Sequence, residues 1–152
     1  IDAGARSISV ETKAGGRGLI RISDDGHGMS KDDLLIAVER HATSKLVSVD
    51  DLSQLTTLGF RGEALPSIAA VSKMSIQSAQ HQSPGSILRI EGGKLGGVEP
   101  SPRQQGTTIE VRSLFFNVPV RKQFQKSLAW DTGEIHKTLS RFALCYPNLG
   151  FS

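Results

Sequence analysis

Cysteine is almost missing from this chain: Cys145 is the only one in 152 residues. One thiol excludes an internal disulfide and a multi-cysteine zinc site. Its neighbours Phe142, Ala143 and Leu144 lead us to expect a buried structural thiol. No apolar run approaches the roughly 18 residues that a membrane span needs. No basic segment leads into an apolar signal core, so a soluble intracellular protein is the default expectation. Internal repeats and low-complexity tracts are absent as well. Charge of one sign is not in strong excess: the formal net charge is +3 and the pI about 9.3. That balance permits contact with nucleic acid without arguing for it. Ile1 stands without an initiator Met and the closing "NLGFS" reads as a strand. Both ends are therefore expected to continue into a longer protein.

The length fits one domain, able to bury about two-thirds of its unfolded surface. Residues 7–12 and 19–23 read as strands, joined by the glycines of "AGGRG". Ser30 can cap a helix, with Asp33 three places on and Asp32 also at its positive end. Residues 41–62 show no firm period beyond a short helical hint at 50–55, and are expected to form a long loop. A helix is expected over 63–71, with Pro66 tolerable near its first turn. Strands are expected over 73–80, 86–91, 94–98 and 107–112, and helices over 120–126 and 131–146. Strands and helices in this order predict an α+β fold rather than a doubly wound parallel sheet.

The densest chemistry lies in "SDDGHGMS", residues 23–30. A calcium loop starting at Asp24 fails, because Gly26 and Leu35 stand where acids should. A dinucleotide fingerprint fails, because the third glycine would fall on Lys31, and no Walker-type phosphate loop occurs. No zinc-protease motif or nucleophile elbow is present. Base recognition survives. An ionised Asp24 is an acceptor only and suits an exocyclic amine such as adenine N6. The glycines behind it would let a flat ring approach the backbone. A plain strand-to-helix turn fits these eight residues equally well.

Further segments bear on that choice. "DAGA" (2–5), "DDGHGM" (24–29), "RHATSK" (40–45), "LGFRGEAL" (58–65), "GTTIEV" (106–111) and "LFFNVPVRKQF" (114–124) occur in order. Together they closely resemble the N-terminal ATPase region of the MutL family of DNA mismatch-repair proteins, within the GHKL ATPase superfamily. "DDGHGM" belongs to the superfamily at large; "RHATSK", "GFRGEAL" and "NVPVRKQF" are specific to the mismatch-repair branch. The resemblance implies a two-layer α/β sandwich of the GHKL (Bergerat) type, with a mixed, mainly antiparallel sheet and helices on one face.

It also implies roles. Asp24 would accept from adenine N6, with Gly28 and Met29 shaping the pocket and Thr107 supporting Asp24 and a water. Residues 41–62 would be the lid over ATP. Thr43, Ser44 and Lys45 would lie near ribose and phosphates, with an exposed surface charge as the bland alternative for Lys45. Gly59, Phe60, Arg61, Gly62 and Glu63 would bring backbone N–H groups to the phosphates. Arg61 fits either the phosphates or the lid's own hydrogen bonds. Glu63 suits helix capping better than base catalysis. His27, between glycines, is expected to be exposed, and His41 to serve loop packing. Arg121, Lys122 and Lys126 could contact a DNA backbone or form a solvated helix face, while Phe115, Phe116 and Phe124 read as core.

The family's general-base Glu and Mg²⁺-binding Asn would precede Ile1, and its γ-phosphate Lys would follow Ser152. No catalytic residue or metal ligand is therefore assigned within the chain. The resemblance implies ATP and Mg²⁺ as cofactors and a parent protein that hydrolyses ATP. It implies a switch in which lid closure drives homo- or heterodimerisation of the N-terminal regions. Other mismatch-repair proteins and DNA would be the partners, in the bacterial cytoplasm at the nucleoid or in a eukaryotic nucleus. The competing expectation is another GHKL module, topoisomerase- or chaperone-like, or a nucleotide sensor that does not hydrolyse.

Overall fold

The computed structural model describes residues 1–39 and 62–152. Residues 40–61, which hold most of the expected loop, lie outside the described residues. The chain forms β1 (Ser7–Lys13), β2 (Leu19–Asp24), α1 (Lys31–Ile36), α2 (Ala64–Ala69) and β3 (Lys73–Ala79). There follow β4 (Ser86–Glu91), β5 (Lys94–Pro100), β6 (Gly106–Arg112), α3 (Pro119–Gln123), α4 (Leu128–Cys145) and β7 (Gly150–Phe151).

The strands build one sheet in the order β5-β4-β3-β6-β2-β1-β7. Every pairing is antiparallel except β1–β7. This is the mixed, mainly antiparallel sheet expected for the fold. The short strand in "NLGFS" is present and closes the β1 edge.

Register explains where the core sits. Directly paired residues of antiparallel strands share a face. Ile22, Ile109, Ile76 and Leu88 make one row across β2, β6, β3 and β4; Ile20, Val111, Met74 and Ile90 make the next. Ile76 and Leu88 are wholly buried, together with Leu34 of α1. Burying a side chain of this size stabilises by about 1.5–3 kcal/mol. α1 packs on β4 and β5, and α2 on β3. Among the described residues α1 and α2 cover that half of the sheet, and Ile22 of β2 is 43% exposed.

The opposite face is charged. Arg21 of β2 reaches Glu110 of β6 at 2.7 Å and also bonds Glu11 of β1. Lys73 pairs with Glu91 at 2.7 Å. The exposed Lys73–Glu91 pair contributes little, and the Arg21–Glu110 pair is half-buried.

α1 begins as its sequence directs. The Ser30 hydroxyl accepts from Asp33 N–H at 3.1 Å, and Asp33 Oδ2 accepts in return from Ser30 N–H at 3.1 Å. Such a cap contributes about 1 kcal/mol.

Four expectations need correction. α4 starts at Leu128, three residues early, because Ser127 caps it through Trp130 N–H. Glu63 sits at the N-cap position of α2 but makes no side-chain cap hydrogen bond. Cys145 is exposed: Phe142 and Tyr146, one helical turn apart, take the inward side and turn the thiol out. Phe124 is 80% exposed rather than core, since α3 ends at Gln123 and has no face long enough to bury it.

Candidate functional site

The aliphatic rows end in a polar one. Past Ile22, Ile109 and Ile76 on the same face come Asp24, Thr107 and Ser78, paired across β2, β6 and β3. Ser78 was not singled out from the sequence, because only the strand register brings it opposite Thr107. Its hydroxyl donates to Gly106 O at 3.0 Å and accepts from Met29 N–H at 2.8 Å. Ser78 Oγ and Thr107 Oγ1 lie 2.8 Å apart. With the Ser78 proton on Gly106 O, Thr107 is the donor in that pair and keeps its lone pairs as acceptors.

Asp24 closes β2 half-buried. Its Oδ1 accepts from Gly26 N–H at 2.9 Å. Oδ2 takes no partner among the described residues. The neighbouring acid does something different. Asp25 Oδ1 accepts from Arg6 N–H at 2.7 Å and Ser7 N–H at 2.9 Å, tying the turn to the start of β1. The Ser7 and Arg6 N–H groups hold the Asp25 carboxyl below the usual carboxylate range. A lowered folded value means the tie is complete above about pH 4 and is lost as pH falls through the depressed value.

Two glycines, Gly28 in the turn and Gly106 at the start of β6, let the backbones close up. Gly28 has φ +71°, and a Cβ there would stand 1.9 Å from Ala79 O. Gly106 has φ +122°, and a Cβ there would stand 2.1 Å from Asp24 O. Neither contact leaves room for a side chain, so β2, β3 and β6 converge behind Asp24 at backbone distance. Met29 is partly buried against the core. His27 is exposed as expected, with Nδ1 2.7 Å from Gly28 O.

Asp24, Gly28, Met29 and Thr107 are therefore brought together. Gly62 and Glu63 lie at the entry to α2. Thr43, Ser44, Lys45, Gly59, Phe60 and Arg61 fall outside the described residues, as does His41.

Arg103 was also missed. Its Nη2 donates to Asp24 O at 3.0 Å, its Nε to Gly106 O at 3.1 Å, and its Nη1 to Thr108 Oγ1. Burial lowers its pKa, offset in part by Asp24, and the guanidinium stays charged. No sequence motif marks it, since it sits in the plain connector "SPRQQG".

Arg121, Lys122 and Lys126 are exposed and pair with no carboxylate among the described residues. Arg121 lies over the Phe115 ring at 5.7 Å and Lys126 over Trp130 at 3.8 Å. A groove of about 640 Å³ runs over the charged sheet face, lined in part by Lys73, Gln77, Arg89 and Arg112. It shares no residue with the polar row.

Among the described residues no group of three His, Cys, Asp or Glu side chains could hold a metal. No helix there is long and apolar enough to cross a membrane.

Comparisons with known proteins converge. Residues 1–106 match the family described as histidine kinase-, DNA gyrase B- and HSP90-like ATPase. The "DNA mismatch repair protein MutL" of Anaeromyxobacter sp. (strain K) is 47% identical over 100% of this chain and 25% of its own length. That of Xanthomonas oryzae pv. oryzae (strain PXO99A) is 50% identical over 98% of this chain and 24% of its own. The chain spans about a quarter of the length of these curated relatives. The Aquifex aeolicus MutL ATPase domain complexed with ADP superposes with TM-score 0.73 at 30% identity, over 99% of this chain and 52% of that one. The N-terminal domain of a DNA repair protein gives TM-score 0.81 at 29% identity, over 99% and 43%. With the sheet, the glycine-backed turn and these likenesses in agreement, the chain belongs to the histidine kinase-, DNA gyrase B- and HSP90-like ATPase family, in the branch that holds the MutL mismatch-repair proteins.

Proposed function

We propose that this chain binds ATP as part of a DNA mismatch-repair ATPase and serves as its nucleotide-dependent switch. One observation carries the reading: Asp24 and Thr107 face each other across β2 and β6, at the end of the sheet where Gly28 and Gly106 bring the chain to backbone distance of Ala79 and Asp24. An amine at the purine 6-position meets an acceptor-only carboxylate there. Thr107, with lone pairs to spare, holds a water beside it. Gly28 and Met29 shape the pocket around the ring. The ADP complex of the Aquifex relative supports an adenine nucleotide as the ligand.

The triphosphate end of the proposal rests on the resemblance of residues 41–62. Thr43, Ser44 and Lys45 approach ribose and phosphates, and Gly59, Phe60, Arg61, Gly62 and Glu63 offer backbone N–H groups to the phosphates. Mg²⁺ would supply positive charge to the phosphates, with no described residue assigned to hold it; the adenine recognition does not depend on it. Residues 41–62 act as a lid that closes on ATP and not on ADP. Closure promotes dimerisation of the N-terminal regions and engagement of other repair proteins. Hydrolysis is proposed for the whole protein; this chain spans about a quarter of the length of its curated relatives.

Limited proteolysis with ADP and with a non-hydrolysable triphosphate tests the switch. The triphosphate should protect residues 41–62 several-fold better. Equal protection by both would reduce the chain to a passive nucleotide sensor.

Arg121, Lys122 and Lys126 are proposed to contact a DNA backbone. All three are exposed and none has a carboxylate within ion-pair distance among the described residues, although Glu134 lies close enough to Lys126 to feel its charge; the exposed Phe124 ring beside them offers a face for a base. Reversing all three to Glu should weaken DNA binding at least tenfold and flatten its salt dependence by roughly 2 to 3 in log–log slope. An unchanged slope would remove these residues from the interface.

A further inference from the structure

Arg103 is the part of this site that Asp24, Gly28, Met29 and Thr107 leave without a role at the base. It stands in the connector between β5 and β6, and its guanidinium holds three acceptors at once. Two are backbone carbonyls, those of Asp24 and Gly106, at 3.0 and 3.1 Å. The third is the Thr108 hydroxyl. Side chains alternate along β6, so the fork reaches the strand ends from the side of Thr108, behind Thr107. No carboxylate comes within ion-pair distance of Arg103 among the described residues, and the Asp24 charge acts on it only from farther away.

Each acceptor is already engaged in the local architecture. Gly106 O also accepts from Ser78 Oγ at 3.0 Å. Thr108 Oγ1 lies 2.7 Å from Ser23 Oγ. Gly106 approaches Asp24 O too closely for any side chain. The fork therefore ties the last residue of β2 to the first residues of β6. Three donors in one rigid plane fix both the distance and the orientation of what they hold.

We infer that Arg103 is a positioning residue for base recognition: from behind the sheet it fixes where the Asp24 carboxylate stands relative to Thr107. This rests on the reading that Asp24 accepts from the 6-amino group. A plain brace would influence every ligand alike. A positioning residue acts only on ligands that carry the amine.

The test compares ADP with purine riboside 5′-diphosphate, which lacks that amine, by calorimetry on the full-length protein, with melting temperature read alongside. Wild type should prefer ADP. Arg103→Met should lower ADP affinity about tenfold and leave the analogue within twofold, so the preference shrinks by the same factor. Arg103→Lys, with one ammonium for three acceptors, should fall between. If Arg103→Met does not fold, Arg103→Lys and Thr108→Val carry the same comparison. Equal losses for both ligands, or no loss for either, overturn the inference and leave the adenine reading standing. A wild type with no preference for ADP overturns both.

Discussion

Asp24→Asn is expected to weaken ADP and ATP binding about a hundredfold, with little change in melting temperature. The geometry says why an isosteric change is so severe. Asp24 Oδ1 accepts from Gly26 N–H, and an Asn amide keeps its oxygen there to preserve that bond. Its NH₂ then stands where Oδ2 stood and faces the 6-amino group, donor against donor. A buried pair that loses its acceptor forfeits the desolvation cost of the amine as well as the bond. A hundredfold is about 2.7 kcal/mol, within the range for one hydrogen bond to a charged group. Asp24→Ala should lose a similar amount. Calorimetric titration beside a thermal melt measures both effects, and wild-type affinity in Asp24→Asn would remove Asp24 from the base.

The second large effect concerns Gly28. A methyl at this position would meet Ala79 O at 1.9 Å, and the residue holds φ +71°. The obstacle is backbone, not the end of a flexible side chain, so β3 or the turn must move. The left-handed conformation adds about 1–2 kcal/mol for any residue with a Cβ. Gly28→Ala should destabilise the fold by roughly 3 kcal/mol, lowering the melting temperature by roughly 6–12 °C, and should abolish nucleotide binding. Gly133, within α4, gives the contrast. A Cβ there meets nothing within 4 Å, and Gly133→Ala should stabilise by about 0.5–1 kcal/mol. A Gly28→Ala variant as stable as wild type would mean the turn does not need its close approach to β3.

Much of this was legible in the sequence, for local reasons. Strand alternation and turn glycines located β1 to β6, and the Ser30–Asp33 spacing located the start of α1. Asp24 stood out because the glycines that free a ring's approach are adjacent to it in the chain. Ser78 did not, because its importance comes from lying opposite Thr107, 29 residues away. Strand register of that kind is set by tertiary pairing. Arg103 reaches 79 residues back to Asp24, again without a local signal. Phe124 and Cys145 were misplaced for a shared reason. Aromatic residues and cysteines are usually inside, but α3 is a single turn and Cys145 lies on the outward side of the last turn of α4. Average burial preference says nothing about which side of a helix end meets the sheet.

The mechanism that links these parts is geometric. Asp25 ties the turn to β1, Ser78 ties Met29 to β6, and Arg103 ties Asp24 to Gly106. Together they hold one carboxylate oxygen at the end of an aliphatic sheet face, with backbone behind it.

A crystal structure of the protein with bound ADP tests the account most directly. The 6-amino nitrogen is expected within about 3.2 Å of an Asp24 carboxylate oxygen, with the ring lying along the turn at Gly28 and Met29. Adenine seated in the groove over Lys73 and Arg89, or phosphates in place of the base beside Asp24, would contradict it.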